Sequence, residues 1–242
     1  MLKGKVDSLY ERILAIECLI AIKKEFTYNV IIKRVGLSPP VLSRYINKRV
    51  LPEYSRAIDL IRIFEEKFLK EIIEKKIKVD KQGIFNLSFL RSDILLMGLI
   101  AHIIARKFSN VDLDKVLCLD NGGEILGTLT AWALRKPVVI VRRERELGVN
   151  RFIEYRFIRS PSVVEYFYIP RGSIASGDKV LLILDIIRSG QSVKALTELV
   201  RKVRGEVRGI ASLISLEEGV RRVREKVRCP LYTLFSIRTP PP

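Results

Sequence analysis

The sequence predicts an α/β protein in which an all-α N-terminal domain precedes an α/β domain with a mainly parallel sheet. Apolar residues recur at helical spacing up to about residue 79. After that point, short apolar runs alternate with helical segments, which is typical of parallel strands covered by helices on both faces. The turn-forming segment DKQGIFNL (80–87) separates the two patterns. We therefore expect one domain at 1–79 and a second at 80–242.

The N-terminal domain is predicted to be wholly helical. Leu9, Ile13, Ile16 and Ile20 lie on one helical face. Leu60, Phe64, Phe68 and Ile72 repeat that spacing in a long helix, from about residue 53 to 79, which could link the domains or form a dimer seam.

The predicted strands of the second domain follow in chain order, with helices at about 123–135 and 191–203. Their sequences are VLCLD (116–120), PVVIVRR (137–143), LLILD (181–185), VRGIASLIS (207–215) and LYTLFSI (231–237). The segments FIEYRF and VVEYFYI flank RSPS (159–162) and predict an antiparallel hairpin.

Composition favours a folded basic protein with a polyanionic partner. Hydrophobic residues make up 48% of the chain, which is enough for a packed core, and the formal net charge is +17. An ordinary basic protein without such a partner is the alternative. One His, two Met and abundant Ile, Arg and Glu hint at a thermophilic source.

The three cysteines are far apart in the sequence and match neither a disulfide framework nor a metal site. Cys18, Cys118 and Cys229 therefore favour a reducing cytoplasm. The apolar run ILLMGLIAHIIA (94–105) is too short to span a membrane and predicts a core helix containing His102. With a single His, a His-based metal site is not expected.

The segment TYNVIIKRVGLSPPVLSRYINKRVLP (27–52) predicts two short helices joined by a tight turn. Thr27 is a candidate cap for a helix ending at Val35, and Gly36 suits the left-handed turn that follows. Ser38 is a candidate cap for the second helix, whose first turn tolerates Pro39 and Pro40. From Phe26 to Pro52 the segment contains no acid and several basic residues.

This pattern resembles the Cro/XRE type of helix-turn-helix over roughly residues 7–68. The resemblance implies that the second helix enters the major groove of DNA. The implied contacts to bases and phosphates are Thr27, Ser38, Pro39, Pro40, Ser43, Arg44, Asn47, Lys48 and Arg49. A helical hairpin used only for packing is the alternative.

A buried strand followed by a small-residue turn and a helix predicts an anion site in LLILDIIRSGQS (181–192). Backbone N–H groups at the start of a helix bind phosphate. Ser189, Gly190, Gln191 and Ser192 form that turn, and Asp185 lies where it can accept hydrogen bonds from sugar hydroxyls. Asp120, Asn121, Gly122 and Gly123 form a second such turn, and Arg142 and Arg143 add positive charge after a third strand.

This segment resembles the phosphoribosyl-diphosphate motif of type I phosphoribosyltransferases. Four further segments over residues 88–238 resemble that family in the same order, which implies its fold and a site for phosphoribosyl diphosphate. The sequence departs from the motif at Leu184, where the family has its first acid, at Arg188, and at Gly122, where an Arg is frequent. Loss of one acid weakens metal and ribose binding together.

From these departures we predict a catalytically inactive domain. The combination resembles prokaryotic, notably archaeal, transcription regulators. It implies a cytoplasmic homodimer that binds a double-stranded DNA operator and senses phosphoribosyl diphosphate, a nucleotide or a related phosphorylated metabolite. No metal site and no membrane contact are predicted, and Mg²⁺ is expected only together with phosphoribosyl diphosphate.

Two alternatives stay open. The first is an active phosphoribosyltransferase of orotate or purine type with an appended nucleic-acid-binding domain. The second keeps DNA binding and treats the C-terminal domain as a dimerisation platform without a ligand.

Overall fold

The computed structural model describes residues 5–80, 85–160 and 163–237. The chain divides into two compact units, Met1–Leu99 and Ile100–Pro242. Among the described residues, no helix combines the length and apolar character needed to cross a membrane.

The first unit is a helical bundle with a core of its own. Its helices are α1 (Lys5–Glu25), α2 (Tyr28–Val35), α3 (Pro39–Ile46), α4 (Tyr54–Ile63), α5 (Leu69–Lys76) and α6 (Ser88–Ser92). A π-helical turn, Phe64–Phe68, joins α4 to α5, and the two rings that bound it are fully buried. The chain then enters α7 (Ile94–Lys107), which includes the boundary between the units.

The two short helices predicted in 27–52 are present, and the turn between them has the predicted conformation. Gly36 is left-handed, with φ 74°, and its N–H donates to the carbonyl of Ile32 over 2.9 Å. The predicted caps Thr27 and Ser38 occupy the N-cap positions, although neither side chain makes the capping hydrogen bond. Packed helices of this kind also arise in bundles that bind no DNA, so the helix-turn-helix domain is not confirmed.

The end of the predicted long helix differs from expectation. The helix ends at Lys76, and β1 (Lys78–Val79) pairs antiparallel with β2 (Phe85–Asn86). Ile77 takes an extended conformation, with φ −88° and ψ 130°, which terminates the helix before the β-branched Val79.

The second unit is an α/β domain, as predicted. Its strands are β3 (Lys115–Leu119), β4 (Val138–Val141), β5 (Phe152–Ser160), β6 (Val163–Pro170), β7 (Lys179–Ile187), β8 (Glu206–Leu216) and β9 (Leu231–Ile237). Its remaining helices are α8 (Gly123–Leu134), α9 (Gln191–Lys202) and α10 (Glu217–Arg224). Within the described residues, five strands form one parallel sheet in the order β4-β3-β7-β8-β9.

The apolar run in 181–185 correctly predicted the central strand β7. Residues 180–184 are all buried because both faces of the strand are covered. One face contributes to an apolar cluster that includes side chains of α9 and of the β5–β6 hairpin.

The predicted hairpin is confirmed as an antiparallel pair of β5 and β6, outside the parallel sheet. The last two residues of the expected RSPS turn, 161 and 162, lie outside the described residues. A backbone bridge between Arg142 and Tyr168 attaches the hairpin to the segment that follows β4.

Candidate active site

Apart from Asp185, which lies within β7, the predicted ligand residues follow three neighbouring strands of the parallel sheet. Residues 120–123 follow β3, Arg142 and Arg143 follow β4, and residues 188–192 follow β7. The register pairs Leu119 with Val141 and Cys118 with Ile183, so these three strands end at one edge of the sheet. This is where open α/β sheets bind their ligands.

The loop after β7 turns directly into α9. Gly190 is the N-cap residue and is left-handed, with φ 76° and ψ 0°. The first intrahelical hydrogen bond runs from the Lys194 N–H to the Gly190 carbonyl, over 3.1 Å. The N–H groups of residues 191–193 precede that bond and are the donors that a helix N-terminus offers to an anion.

Close packing by α10 fixes the shape of this loop. A Cβ added to Gly190 would lie 2.9 Å from the Cγ2 of Val223 and 3.2 Å from the Gly219 carbonyl oxygen. A Cβ added to Gly219 would lie 2.5 Å from the Arg188 carbonyl oxygen. The glycines therefore let the loop and α10 approach each other at backbone distance, while the Arg188 side chain is exposed.

The loop after β3 enters α8 through two residues of positive φ, Asn121 at 57° and Gly122 at 151°. A Cβ at Gly123 would lie 3.3 Å from the Ile183 carbonyl oxygen, so the start of α8 packs against the backbone of β7. Burial raises the pKa of the nearby Cys118 to about 12. That thiol stays protonated at neutral pH and is not a candidate nucleophile.

The two arginines after β4 are already paired with carboxylates. The backbone N–H of Arg143 donates to Oδ2 of Asp120 over 3.1 Å, and the Arg143 Nε lies 3.8 Å from Oδ1 of the same carboxylate. The Arg143 Nη1 donates to Oε2 of Glu165 in the hairpin over 3.2 Å. The Nη1 of Arg142 lies 3.8 Å from Oε1 of Glu124. An anion entering here would compete with these carboxylates for both guanidinium groups.

Asp185 and Leu184 are adjacent on β7 but differ in environment. The Asp185 carboxylate is half-buried and accepts the Ile186 N–H over 2.8 Å. Leu184 is only 3% exposed and belongs to the apolar cluster shared with α9. The position of the missing acid is thus a core position in this chain.

We expect Leu184→Asp to destabilise the fold by about 3 kcal/mol, because it buries a carboxylate in an apolar cluster without a partner. Urea unfolding followed by circular dichroism measures the change. Leu147→Asp is the matched control, since Leu147 is 97% exposed and should tolerate the same substitution. Equal stability of the two variants would contradict a core role for Leu184.

A cleft of about 470 Å³ lies beside the loop after β7. It is lined by Ser189, Gly190 and Gln191, by Tyr155, Arg156, Phe157 and Ile158 of the hairpin, and by Lys194, Arg222 and Lys226. Burial raises the pKa of Tyr155, so its phenol remains a hydrogen-bond donor at neutral pH. A groove of about 540 Å³ along α10 and β9 contains none of the predicted ligand residues.

Sequence reasoning missed the four basic residues of this cleft. The available signal was helical spacing: Lys194 lies three residues after Gln191, and Arg222 lies four residues before Lys226. Their convergence with Arg156 depends on the packing of three separate elements, which the sequence does not specify locally.

The residues predicted to contact DNA lie in the first unit, on α2, α3 and the adjoining turns. Thr27, Ser38, Pro39, Pro40, Arg44, Asn47, Lys48 and Arg49 are exposed, and Ser43 is half-buried. The Asn47 amide donates to the Ser43 hydroxyl over 3.2 Å.

Comparison with known proteins gives relatives that include several purine phosphoribosyltransferases. An adenine phosphoribosyltransferase from Marinomonas sp. is 24% identical over 178 residues, which is 72% of this chain and 97% of that protein. An adenine phosphoribosyltransferase from Halothermothrix orenii is 31% identical over 54% of this chain and 73% of its own length. A xanthine phosphoribosyltransferase from Streptococcus pneumoniae is 28% identical over 73% of this chain and 92% of its own length.

Solved structures share the fold at lower identity. Adenine phosphoribosyltransferase from Rhodothermus marinus superposes with a TM-score of 0.61 at 22% identity, covering 70% of this chain and 98% of that chain. The Trypanosoma brucei enzyme, in complex with AMP, pyrophosphate and ribose-5-phosphate, gives 0.62 at 19% identity, covering 71% of this chain and 80% of that chain.

These relatives overturn two of the predictions. The prediction of a DNA-binding transcription regulator with an operator partner is wrong, since the similar proteins are purine phosphoribosyltransferases. An exposed basic face is expected on many helices of a chain with net charge +17, so it was weak support for DNA binding.

The prediction of a catalytically inactive domain is wrong for the same reason. It gave too much weight to Leu184, because Mg²⁺ commonly uses one or two carboxylates together with substrate phosphates. One acid, Asp185, still follows the expected pattern.

The match to the family extends over most of the second unit. The family model for the phosphoribosyl transferase domain matches residues 92–238, from just before α7 to just beyond β9. This range includes the three loops at the edge of the sheet. The chain belongs to the phosphoribosyl transferase domain family.

Proposed function

We propose that this chain is an active phosphoribosyltransferase that uses a purine base as acceptor. The carbon–oxygen bond between ribose C1 and the diphosphate of phosphoribosyl diphosphate breaks, and its electron pair leaves with the diphosphate. A ring nitrogen of the base forms the new bond to C1 and loses its proton to solvent. The products are a purine nucleoside monophosphate and diphosphate.

The observation that carries this proposal is the meeting of three phosphate-suited loops at one sheet edge, in a chain whose relatives are purine phosphoribosyltransferases. Backbone N–H groups of 190–193 and the hydroxyls of Ser189 and Ser192 would hold the 5′-phosphate. The Asp185 carboxylate would accept hydrogen bonds from the ribose hydroxyls.

The loop at 120–123 would hold the diphosphate against the start of α8. Arg143 would exchange the Asp120 and Glu165 carboxylates for diphosphate oxygens, and Arg142 would exchange Glu124 in the same way. Each exchange replaces a partly exposed ion pair with charge-assisted hydrogen bonds to the leaving group. The exposed Arg188 would add a further cation to the loop after β7.

Mg²⁺ fits this donor set only together with substrate. Among the described residues, no cluster of three or more His, Cys, Asp or Glu side chains could hold a metal ion. The half-buried Asp185 carboxylate supplies one hard oxygen ligand, and Mg²⁺ usually completes its shell with phosphates and water. Held there, the ion would neutralise charge on the departing diphosphate.

The test is diphosphate release from phosphoribosyl diphosphate in the presence of adenine, hypoxanthine, guanine or xanthine, with and without Mg²⁺. We expect base-dependent release and formation of the matching nucleoside monophosphate, with one base preferred. A purified Asp185→Asn variant controls for contaminating host enzymes. Saturable binding of phosphoribosyl diphosphate without release with any of the four bases would contradict the proposal.

A further inference from the structure

The cleft beside the loop after β7 carries more positive charge than a single 5′-phosphate requires. Its four cationic side chains come from three elements: Arg156 from β5, Lys194 from α9, and Arg222 and Lys226 from the α10 segment. None of the described residues that line it is acidic. The proposed function already assigns the 5′-phosphate to the backbone N–H groups of 190–193 and to the hydroxyls of Ser189 and Ser192.

Three of these cations are uncompensated within the part of the chain that the structure describes. Among the described side chains, no carboxylate pairs with Arg156, Lys194 or Lys226, whereas Arg222 is paired with Glu218 on its own helix. Like charges gathered around one concave surface repel each other and raise the local potential, which an anionic ligand relieves. The cluster therefore favours a ligand with several negative charges.

The size of the cleft agrees with a ligand larger than one phosphate. At about 470 Å³ it falls within the range of roughly 300–1,000 Å³ that is usual for small-molecule sites. Because Ser189, Gly190 and Gln191 line it, the cleft is continuous with the loop assigned to the 5′-phosphate. A chain of phosphates that begins in that loop can extend along the cationic walls.

We propose that this cleft binds the phosphate chain of a nucleoside 5′-triphosphate and that such nucleotides compete with phosphoribosyl diphosphate. The α-phosphate would occupy the loop at 189–192, and the β- and γ-phosphates would reach Lys194, Arg222 and Lys226. This inference rests on the proposed function, because it uses the same 5′-phosphate loop. The consequence is inhibition of phosphoribosyl transfer by abundant nucleoside triphosphates.

The test is calorimetric titration of the full chain with AMP, ADP, ATP and inorganic triphosphate, without Mg²⁺. We expect the dissociation constant to fall about tenfold from AMP to ATP, equivalent to about 1.4 kcal/mol. Lys226→Ala and Lys194→Ala should each remove most of that difference, because each should weaken ATP binding more than AMP binding. In steady-state assays, ATP should raise that KM without lowering kcat.

Arg224→Ala is the matched control, because it removes one positive charge from α10 at an exposed residue that does not line this cleft. It should leave ATP affinity within about twofold of the unmodified chain, since an exposed charge outside the cleft is screened by salt.

Equal affinity for AMP, ADP and ATP would overturn the proposal, and so would equal weakening of ATP binding by Arg224→Ala and Lys226→Ala. If inorganic triphosphate bound as tightly as ATP, the proposal that the ligand carries a nucleoside would be overturned. Diphosphate release, assayed on the same preparation, reports on the proposed function separately, so the two failures are distinguishable.

Discussion

Replacing Asp185 by asparagine is expected to lower kcat/KM for phosphoribosyl diphosphate by roughly 10²–10³-fold, the scale of losing one preorganised electrostatic group in an active site. Leu184 occupies the adjacent position as a buried apolar side chain, so it cannot take over the lost charge. Where the motif has two adjacent acids, one carboxylate remains when the other is replaced. In this chain the adjacent residue is Leu184, so no carboxylate remains at these two positions.

The asparagine variant should fold normally. The side-chain amide oxygen of asparagine can replace the carboxylate oxygen that accepts the Ile186 N–H. The 2.8 Å hydrogen bond can therefore be kept. The measurement is steady-state kinetics at several Mg²⁺ concentrations, together with thermal unfolding. We expect the thermal midpoint to change little while both kcat and the apparent affinity for phosphoribosyl diphosphate fall.

Asp112→Asn is the matched control for that experiment. Asp112 precedes β3, at the opposite end of the strands from the candidate site, and pairs with Lys179 at the surface. The control variant should keep its kcat/KM within about twofold, because exposed ion pairs contribute little. Unchanged kinetics in Asp185→Asn would remove this carboxylate from the proposed mechanism.

The sequence was informative where a local pattern determines a local structure. The apolar run of β7, the turn predicted at 189–192 and the helical period after it correctly predicted a strand, a loop and a helix, although α9 already begins at Gln191. Gly36 and the two short helices around it were predictable for the same reason, since a left-handed turn between helices favours glycine.

Prediction from sequence was weaker where the outcome depends on packing or on relative energies. Arg156, Lys194 and Lys226 meet only because the hairpin, α9 and the α10 segment line one cleft, and no local pattern encodes that meeting. Leu184 was judged as a missing catalytic acid, although its burial makes it a core residue that leaves Asp185 in place. The incorrect DNA-binding prediction rested on the two short helices of 27–52 and on their positive charge, neither of which requires DNA as a partner.

Gly190→Ala is expected to raise the KM for phosphoribosyl diphosphate by about 100-fold, because a displacement of about 1 Å in a binding group can cost that much. The new methyl group would meet the Cγ2 of Val223 at 2.9 Å and the Gly219 carbonyl oxygen at 3.2 Å. Either the loop or α10 must move, and the N–H groups of 190–193 then no longer point at one phosphate. Isothermal titration with phosphoribosyl diphosphate measures the loss directly.

The control for Gly190→Ala is Gly177→Ala, which separates backbone strain from steric overlap. Gly177 has a similar left-handed φ of 89°, but an added Cβ there would have no atom within 4 Å. Both variants should lose roughly 1–2 kcal/mol of stability from the left-handed backbone, whereas only Gly190→Ala should lose affinity for phosphoribosyl diphosphate.

Adding Val223→Ala to Gly190→Ala removes the nearest clash and should recover part of the binding. Two results together would contradict this explanation: the double variant binds no better than Gly190→Ala, and Gly177→Ala loses as much affinity as Gly190→Ala. The close approach of α10 would then not set the geometry of the phosphate loop.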